Sequence, residues 1–344
     1  MSTRADGAMG APARSGSPSA SNDELTVNPC AVDEASLAPA DLFSSLACLR
    51  YGASDEPPRW REAAALLAQD PGIVERSVWA AAAAGDARAI AAHLSVDPAL
   101  ATTAGGPFGW HPLTYLCYSR VVPDDSPDRP LAAAELLLDS GADPNTGFLH
   151  SGLPTPFTAI TGVFGEGEEG AGRQPRHPRS MELAILLLAR GAHPADQQAL
   201  YNRMFRPDDS HLELLFAHGL AEAGPGPWDT RAGADTESRA QVWRRQVDWA
   251  AQHGFTERLA LLAENGIDTA GVTVILPVIP DDPNARGADG ATPLHHAAWT
   301  GDLDLIRALL DAGADRTVVD LQYGTTPREW AEHAYQLEAV RLLS

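Results

Sequence analysis

The stretch Gly165-Glu-Gly167-Glu-Glu-Gly170 has the glycine spacing that lets a backbone approach a dinucleotide pyrophosphate, and an apolar run over 157–164 precedes it. That chemistry also needs a following helix whose N-terminus can hold the phosphates. Here Pro175 and Pro178 follow instead, and Glu166, Glu168 and Glu169 would repel an anion. The stretch reads as a flexible acidic insertion, not a cofactor site. The 11 histidines fare no better as metal ligands. His295 and His296 are adjacent, so they diverge on a helix, and no HExxH or His/Cys ligand spacing occurs. His150, His177, His193 and His211 fall in loops or at helix ends, where the default is a solvent-facing ring. Acidic pairs at Asp124-Asp125, Asp208-Asp209 and Asp281-Asp282 stand beside prolines in loops, where solvation accounts for them. There is no GxSxG and no nucleophile with an identifiable base. All 25 basic residues are Arg, which excludes both a GxxxxGK phosphate loop and a Schiff-base lysine. The sequence therefore predicts no catalytic residue, no metal and no cofactor.

What these residues stand on is a repeated element, clearest at 290–315, GATPLHHAAWTGDLDLIRALLDAGAD. Thr292 can cap a helix and Pro293 suits its first position. Leu294, Ala297 and Ala298 form one face, small enough for a second helix to approach closely, and Gly301 breaks the run. Leu303, Ile306, Leu309 and Leu310 then follow the three- and four-residue spacing of a single buried stripe. Gly313 supplies a left-handed end. Two such short helices cannot bury their own apolar face, so the unit needs neighbours.

The Thr-Pro-Leu-His start and Gly-Ala-Asp end resemble the ankyrin repeat. The resemblance implies that His295 holds its turn through hydrogen bonds to neighbouring backbone. Weaker endings recur at Leu137-Leu138, Leu187-Leu188, Leu215-Phe216 and Leu262-Ala263. With Leu309-Leu310 they place glycines at 141, 191, 219, 266 and 313, spaced by 50, 28, 47 and 47 residues. A regular unit needs about 33, so three intervals carry insertions and one is trimmed. The expected fold is all-α, an α-solenoid of about seven ankyrin-like helix–turn–helix repeats with short hairpin connections.

Along the chain, residues 1–40 are rich in Ala, Ser, Gly and Pro without periodicity and read as a disordered tail. The array is expected over 41–344. It divides into atypical N-terminal repeats at 41–100, inserted repeats at 108–270, the best repeat at 287–319 and a C-terminal capping repeat at 320–344. Insertions fall at 121–130, at 162–180, over the linker-like 221–237, and over 269–289 with its β-prone run Val272–Leu276. In the last unit Arg328, Glu329 and Glu332 replace Leu294, His295 and Ala298, which suits a repeat with no outer neighbour.

The formal charge of −21 argues against nucleic acid and anionic membrane surfaces and favours a basic or mixed protein surface. No apolar run is long enough to span a bilayer, and no N-terminal apolar segment reads as a secretory signal. Three scattered cysteines fit a reducing cytoplasm. Abundant Ala, Gly, Pro and Arg point to a GC-rich, bacterial genome. The resemblance implies a non-catalytic scaffold, adaptor or inhibitor that binds a partner protein through hairpin tips and first-helix faces. By position that surface takes Phe108, Trp110 and Tyr118 in one unit, Asp289, Trp299 and Thr300 in the best repeat, and Gln322 and Tyr323 in the next hairpin. Two readings are open for Trp110 and for Trp299, an exposed anchor or a plug between repeats. The alternative function is an enzyme whose site is built from the 162–180 and 269–289 insertions. The charge carries a first prediction: binding to duplex or single-stranded DNA, measured by anisotropy at physiological salt, should be undetectable at micromolar protein.

Overall fold

The computed structural model describes residues 25–121, 128–232, 237–276, 279–334 and 336–344. The acidic pair Asp124-Asp125 and residues 1–24 of the expected tail lie outside them. Among the described residues nineteen α-helices follow one another in chain order. The first five are α1 (Pro39–Ala47), α2 (Pro57–Gln69), α3 (Ile73–Arg76), α4 (Val78–Ala83) and α5 (Ala87–Val96). The inserted region holds α6 (Pro112–Tyr118), α7 (Arg129–Asp139), α8 (Ala159–Phe164), α9 (Gly170–Arg173) and α10 (Ser180–Ala189). It continues through α11 (Gln197–Arg203), α12 (Ser210–Ala217), α13 (Pro227–Ala232), α14 (Arg239–Gln252) and α15 (Thr256–Glu264). The last two repeats supply α16 (Pro293–Thr300), α17 (Leu303–Asp311), α18 (Pro327–His333) and α19 (Leu337–Leu343). Among the described residues strand is confined to one small sheet, in which β1 (Thr26–Val27) pairs parallel with β2 (Gly147–His150) and β2 pairs antiparallel with β3 (Pro156–Thr158).

Five second helices, α7, α10, α12, α15 and α17, end in the same way. The five marker glycines take positive φ: Gly141 at 95°, Gly191 at 96°, Gly219 at 84°, Gly266 at 78° and Gly313 at 94°. A side chain would be strained there. The residue after each glycine donates its N–H to a leucine carbonyl five residues earlier. These bonds run Ala142 to Leu137 (3.0 Å), Ala192 to Leu187 (2.9 Å), Leu220 to Leu215 (3.0 Å), Ile267 to Leu262 (3.0 Å) and Ala314 to Leu309 (2.8 Å). The closing leucines Leu137, Leu187, Leu215, Leu262 and Leu309 are all fully buried. Asparagine then ties one unit to the next. Asn145 donates to the Gly191 carbonyl (3.0 Å) and accepts from His193 N–H (2.8 Å). Asn284 repeats this on Gly313 (3.2 Å) and Asp315 (2.7 Å). The buried residues form one apolar core from Ala40 to Leu262 and a second from Leu294 to Leu343.

Several segments read as loops are ordered parts of the array. Within the expected tail, residues 26–27 and 34–36 take regular structure. Thr26 and Val27 pair with Leu149 and His150, and Glu34 accepts from Arg59 Nη1 at 2.9 Å and from Ser45 Oγ at 2.6 Å. Burial alone would raise the Glu34 carboxyl, but the bonds from Arg59 and Ser45 hold it down, at about 2. The acidic insertion is likewise not flexible. Glu166 is buried at φ 59° and is gripped by the buried Arg203 and by Arg176 (2.7 Å). Arg120 reaches across to the carbonyls of Pro175 (2.6 Å) and Gly162 (2.8 Å). Asp208 and Asp209 are ion-paired to Arg203 and Arg258, so solvation does not explain them. Within 221–237, α13 buries Trp228, whose Nε1–H donates to the Asn145 carbonyl (2.8 Å). Val272–Leu276 forms no strand; Ile275 N–H instead donates to the Ala251 carbonyl at 2.7 Å.

His177 and His211 are buried, against the expectation of solvent-facing rings. Arg179 N–H donates to His177 Nδ1 at 2.9 Å, and His211 packs edge-on to Phe164. Burial, with arginines nearby, pushes both imidazoles well below their ordinary 6.5. The unfolded chain therefore takes up these protons near pH 6.5 while the folded chain does not. Stability is fully present above that pH and is lost as pH falls below it. The expected slope is about 1.4 kcal/mol per histidine for each pH unit below 6.5. Denaturant midpoints between about pH 7.5 and pH 5.5 should drop, and less so in His211→Leu. A flat profile would show that the two rings take up protons in the fold as readily as in the unfolded chain.

Candidate functional site

The last two repeats place their first helices side by side, each started by a Thr-Pro pair. In α16 the Thr292 N–H donates to His295 Nδ1 at 3.1 Å, which leaves Nε2–H to donate to the Thr325 carbonyl at 3.0 Å. His295 therefore fastens one hairpin to the next, the structural part implied by its position. Burial pushes its imidazole down, the Thr325 bond opposing this. In α18 Glu329 makes the equivalent cap, accepting from Thr326 N–H at 2.7 Å and Oγ1–H at 2.8 Å.

Between them the hairpin tip 320–325 is wound around one carboxylate. Asp320 accepts from the N–H groups of Gln322 (2.8 Å), Tyr323 (2.6 Å) and Thr325 (3.0 Å), and from Trp330 Nε1–H (3.1 Å). Burial would raise the Asp320 carboxyl, but these bonds hold it well below the usual carboxylate range. Leu321 N–H donates to the Gly290 carbonyl at 3.2 Å. A Cβ on Gly290 would come within 2.7 Å of the Leu321 Cβ, so the two tips meet because this residue is glycine. With its acceptor turned inward, the tip presents Gln322 and Tyr323 outward.

The result is a cleft of about 650 Å³ lined by Asp289, His296, Trp299, Gln322, Tyr323, Thr325, Glu329, Trp330 and His333. Trp299 and Trp330 meet edge to face, with centroids 5.9 Å apart and planes at 76°. His333 stacks on Trp299 at 5.7 Å, and His296 stands edge-on to Trp330 at 5.7 Å. Asp289 Oδ2 lies 2.9 Å from His296 Nε2. Trp299 is 47% exposed and Tyr323 68% exposed. A neighbouring groove runs over His296, Ala297 and Thr300 to Phe205, His253, Ile275 and Leu276.

Of the eight residues singled out in the sequence, Asp289, Trp299, Gln322 and Tyr323 line this one cleft, and Thr300 lines the adjoining groove. The placement of Phe108, Trp110 and Tyr118 on an exposed face is corrected, since all three are buried. For Trp110 and Tyr118 the reason is the β2–β3 hairpin, which covers that face. Trp110 stacks on Phe148 with centroids 4.5 Å apart, and Tyr118 OH donates to the Thr158 carbonyl at 3.0 Å. Phe108 stacks on Tyr115 and lies against Trp110. His296, Trp330 and His333 were missed. Counting from the two Thr-Pro starts would have found them: Trp330 stands where the repeat before it has His296, and His333 where it has Trp299.

Residues 247–344 match the family model for ankyrin repeats (3 copies). Over 64 residues, 18% of this chain, the sequence is 42% identical to the inactive serine/threonine-protein kinase TEX14 of Bos taurus, covering 4% of that protein. Over 80 residues, 23% of this chain, it is 36% identical to the tyrosine-protein kinase HTK16 of Hydra vulgaris, covering 10% of it. The chain thus spans a tenth or less of the length of these curated relatives. The crystal structure of the human ASB11 ankyrin repeat domain aligns with 78% of this chain and 97% of its own, at 18% identity and a TM-score of 0.32. The fold is an all-α solenoid of ankyrin repeats.

Burial separates the two tryptophans whose position was open. Trp110→Ala should cost about 3–5 kcal/mol of stability, as expected for a buried aromatic. Trp299→Ala removes a half-exposed ring and should cost no more than about 1.5 kcal/mol. Urea unfolding of both variants checks the order, and the reverse order would contradict the packing described.

Proposed function

We propose that the protein is a non-catalytic interaction module, a scaffold, adaptor or inhibitor, that binds a partner protein at the cleft between α16 and α18. The observation that carries this is the cleft's lining: two tryptophans and a tyrosine, partly or largely exposed, on two capped helices and a hairpin tip wound around Asp320. Amphipathic aromatic side chains in a preformed concavity are the usual anchors of protein interfaces. Asp289, Trp299, Gln322 and Tyr323 form its contact surface, with Thr300 extending it along the adjoining groove.

Catalysis is the weaker reading for two reasons. The residues that the 269–289 insertion brings to the adjoining groove are the apolar Ile275 and Leu276. In the 162–180 insertion Glu166 is turned inward onto Arg203, and the Pro175 carbonyl is taken by Arg120. Nor do the kinase relatives imply phosphoryl transfer here. The matched stretches are 64 and 80 residues long, and a chain whose basic residues are all Arg lacks the lysine that kinases place on the phosphates. No metal or cofactor is assigned to the cleft. The partner is a protein with a basic or mixed surface, as the charge of −21 suggests; nucleic acid and membrane are not proposed as ligands. The three cysteines are unpaired, which fits a cytoplasmic setting, and the composition fits a bacterial source. Among the described residues no helix is long and apolar enough to cross a membrane.

The test uses a partner isolated by affinity from the native organism and titrated against purified variants. Trp299→Ala should weaken its binding by about 2 kcal/mol or more, with the folded state retained. Unchanged affinity in Trp299→Ala and Tyr323→Ala together would remove the cleft from the interface.

A further inference from the structure

The cleft has an electrical character as well as a shape. Its faces are aromatic, and the face of an indole or phenol ring carries the negative lobe of its quadrupole, which attracts cations. Trp299 and Trp330 stand nearly perpendicular, at 76°. They form an inside corner, and Tyr323 from the hairpin tip rises on the same cleft. Two carboxylates join these rings in the lining: Asp289 from the hairpin before α16, and Glu329 from the first turn of α18.

Both are held in place. Asp289 Oδ1 accepts from Ala291 N–H at 3.2 Å while its Oδ2 faces His296. Glu329 uses Oε2 for the Thr326 cap, and those bonds hold its carboxyl below the usual range, so it stays ionised. None of the nine lining residues is Arg. Arg328, on the same helix, is paired with Glu332 at 2.9 Å. His296 and His333 are the two titratable nitrogen bases in the cleft, and one of them already leans on Asp289. Aromatic faces, two carboxylates and no resident arginine fit a positively charged guest.

We propose that the cleft binds a cationic side chain of an extended basic peptide, its guanidinium or ammonium group lying against Trp299 and Trp330 and its charge met by Asp289 and Glu329. The proposal rests on the reading of this cleft as a docking site and names the chemistry of what docks. Tyr323 and Gln322 flank the entry, where the peptide's neighbouring residues would lie.

Four short peptides, identical except for a central arginine, lysine, citrulline or norleucine, test it by calorimetric titration of the full chain. The arginine and lysine peptides should bind about tenfold or more tightly than the neutral two, the range set by cation–π contacts backed by carboxylates. A preference for arginine over lysine assigns the guest as a guanidinium; equal affinity assigns any alkyl cation. In the Asp289→Asn/Glu329→Gln double variant, whose amides keep the caps, the charge preference should fall to about twofold or less. Equal binding of arginine and citrulline, or tightest binding of norleucine, overturns the cationic guest and leaves an apolar docking cleft standing. No binding by any of the four also overturns it. The docking reading itself fails separately, through an unaffected partner affinity in the Trp299 and Tyr323 variants.

Discussion

A pair of helices seven to nine residues long, such as α16 with α17 or α18 with α19, has no interior of its own. Its apolar stripe becomes a core only when the next pair covers it, and that one constraint governs the rest of the molecule. It explains why each second helix must stop at a fixed place, so that the chain can return in register. The closing bond to a buried leucine carbonyl, with a left-handed glycine beside it, repeats five times with nearly the same length. It also explains the asparagines at 145 and 284, which carry the register from one unit to the next without a side-chain core. In the repeat that holds α18 and α19, Arg328, Glu329 and Glu332 face water where the repeat before it buries Leu294, His295 and Ala298.

The same stacking decides which surface is left over. Second helices are consumed on both sides, whereas first helices and hairpin tips keep one face free. In the inserted repeats even that face is covered. The β2–β3 hairpin lies over Trp110 and Tyr118, and the 162–180 insertion is clamped by arginines. Arginine does this work because its fork of donors can satisfy several carbonyls at once. Arg120 and Arg258 each donate to three or more acceptors while almost entirely buried. The open aromatic surface therefore falls at α16 and α18, where no insertion intervenes.

The structural use of His295 came from the resemblance to the ankyrin repeat. The helix pairs and their endings were legible because they depend on local chemistry: a Thr-Pro cap, a three- and four-residue stripe, a glycine forced to positive φ. The clustering of Asp289, Trp299, Gln322 and Tyr323 was legible for the same reason, since equivalent positions of adjacent repeats must align. What escaped depends on contacts far apart in sequence. Glu34 meets Arg59, Glu166 meets Arg203, and Trp110 meets Phe148 across 25, 37 and 38 residues, and no local pattern announces such pairs. Asp-Pro-Asn at both 143–145 and 282–284 was a usable signal for the inter-repeat staple.

The central claim is that recognition occurs where the last two repeats leave their first helices uncovered. Hydrogen–deuterium exchange of the full chain, alone and saturated with its captured partner, addresses it most directly. Slowed exchange confined to 287–300 and 320–333 is the result the account predicts. Slowed exchange over 105–120 or 162–180, with the cleft segments unchanged, would contradict it.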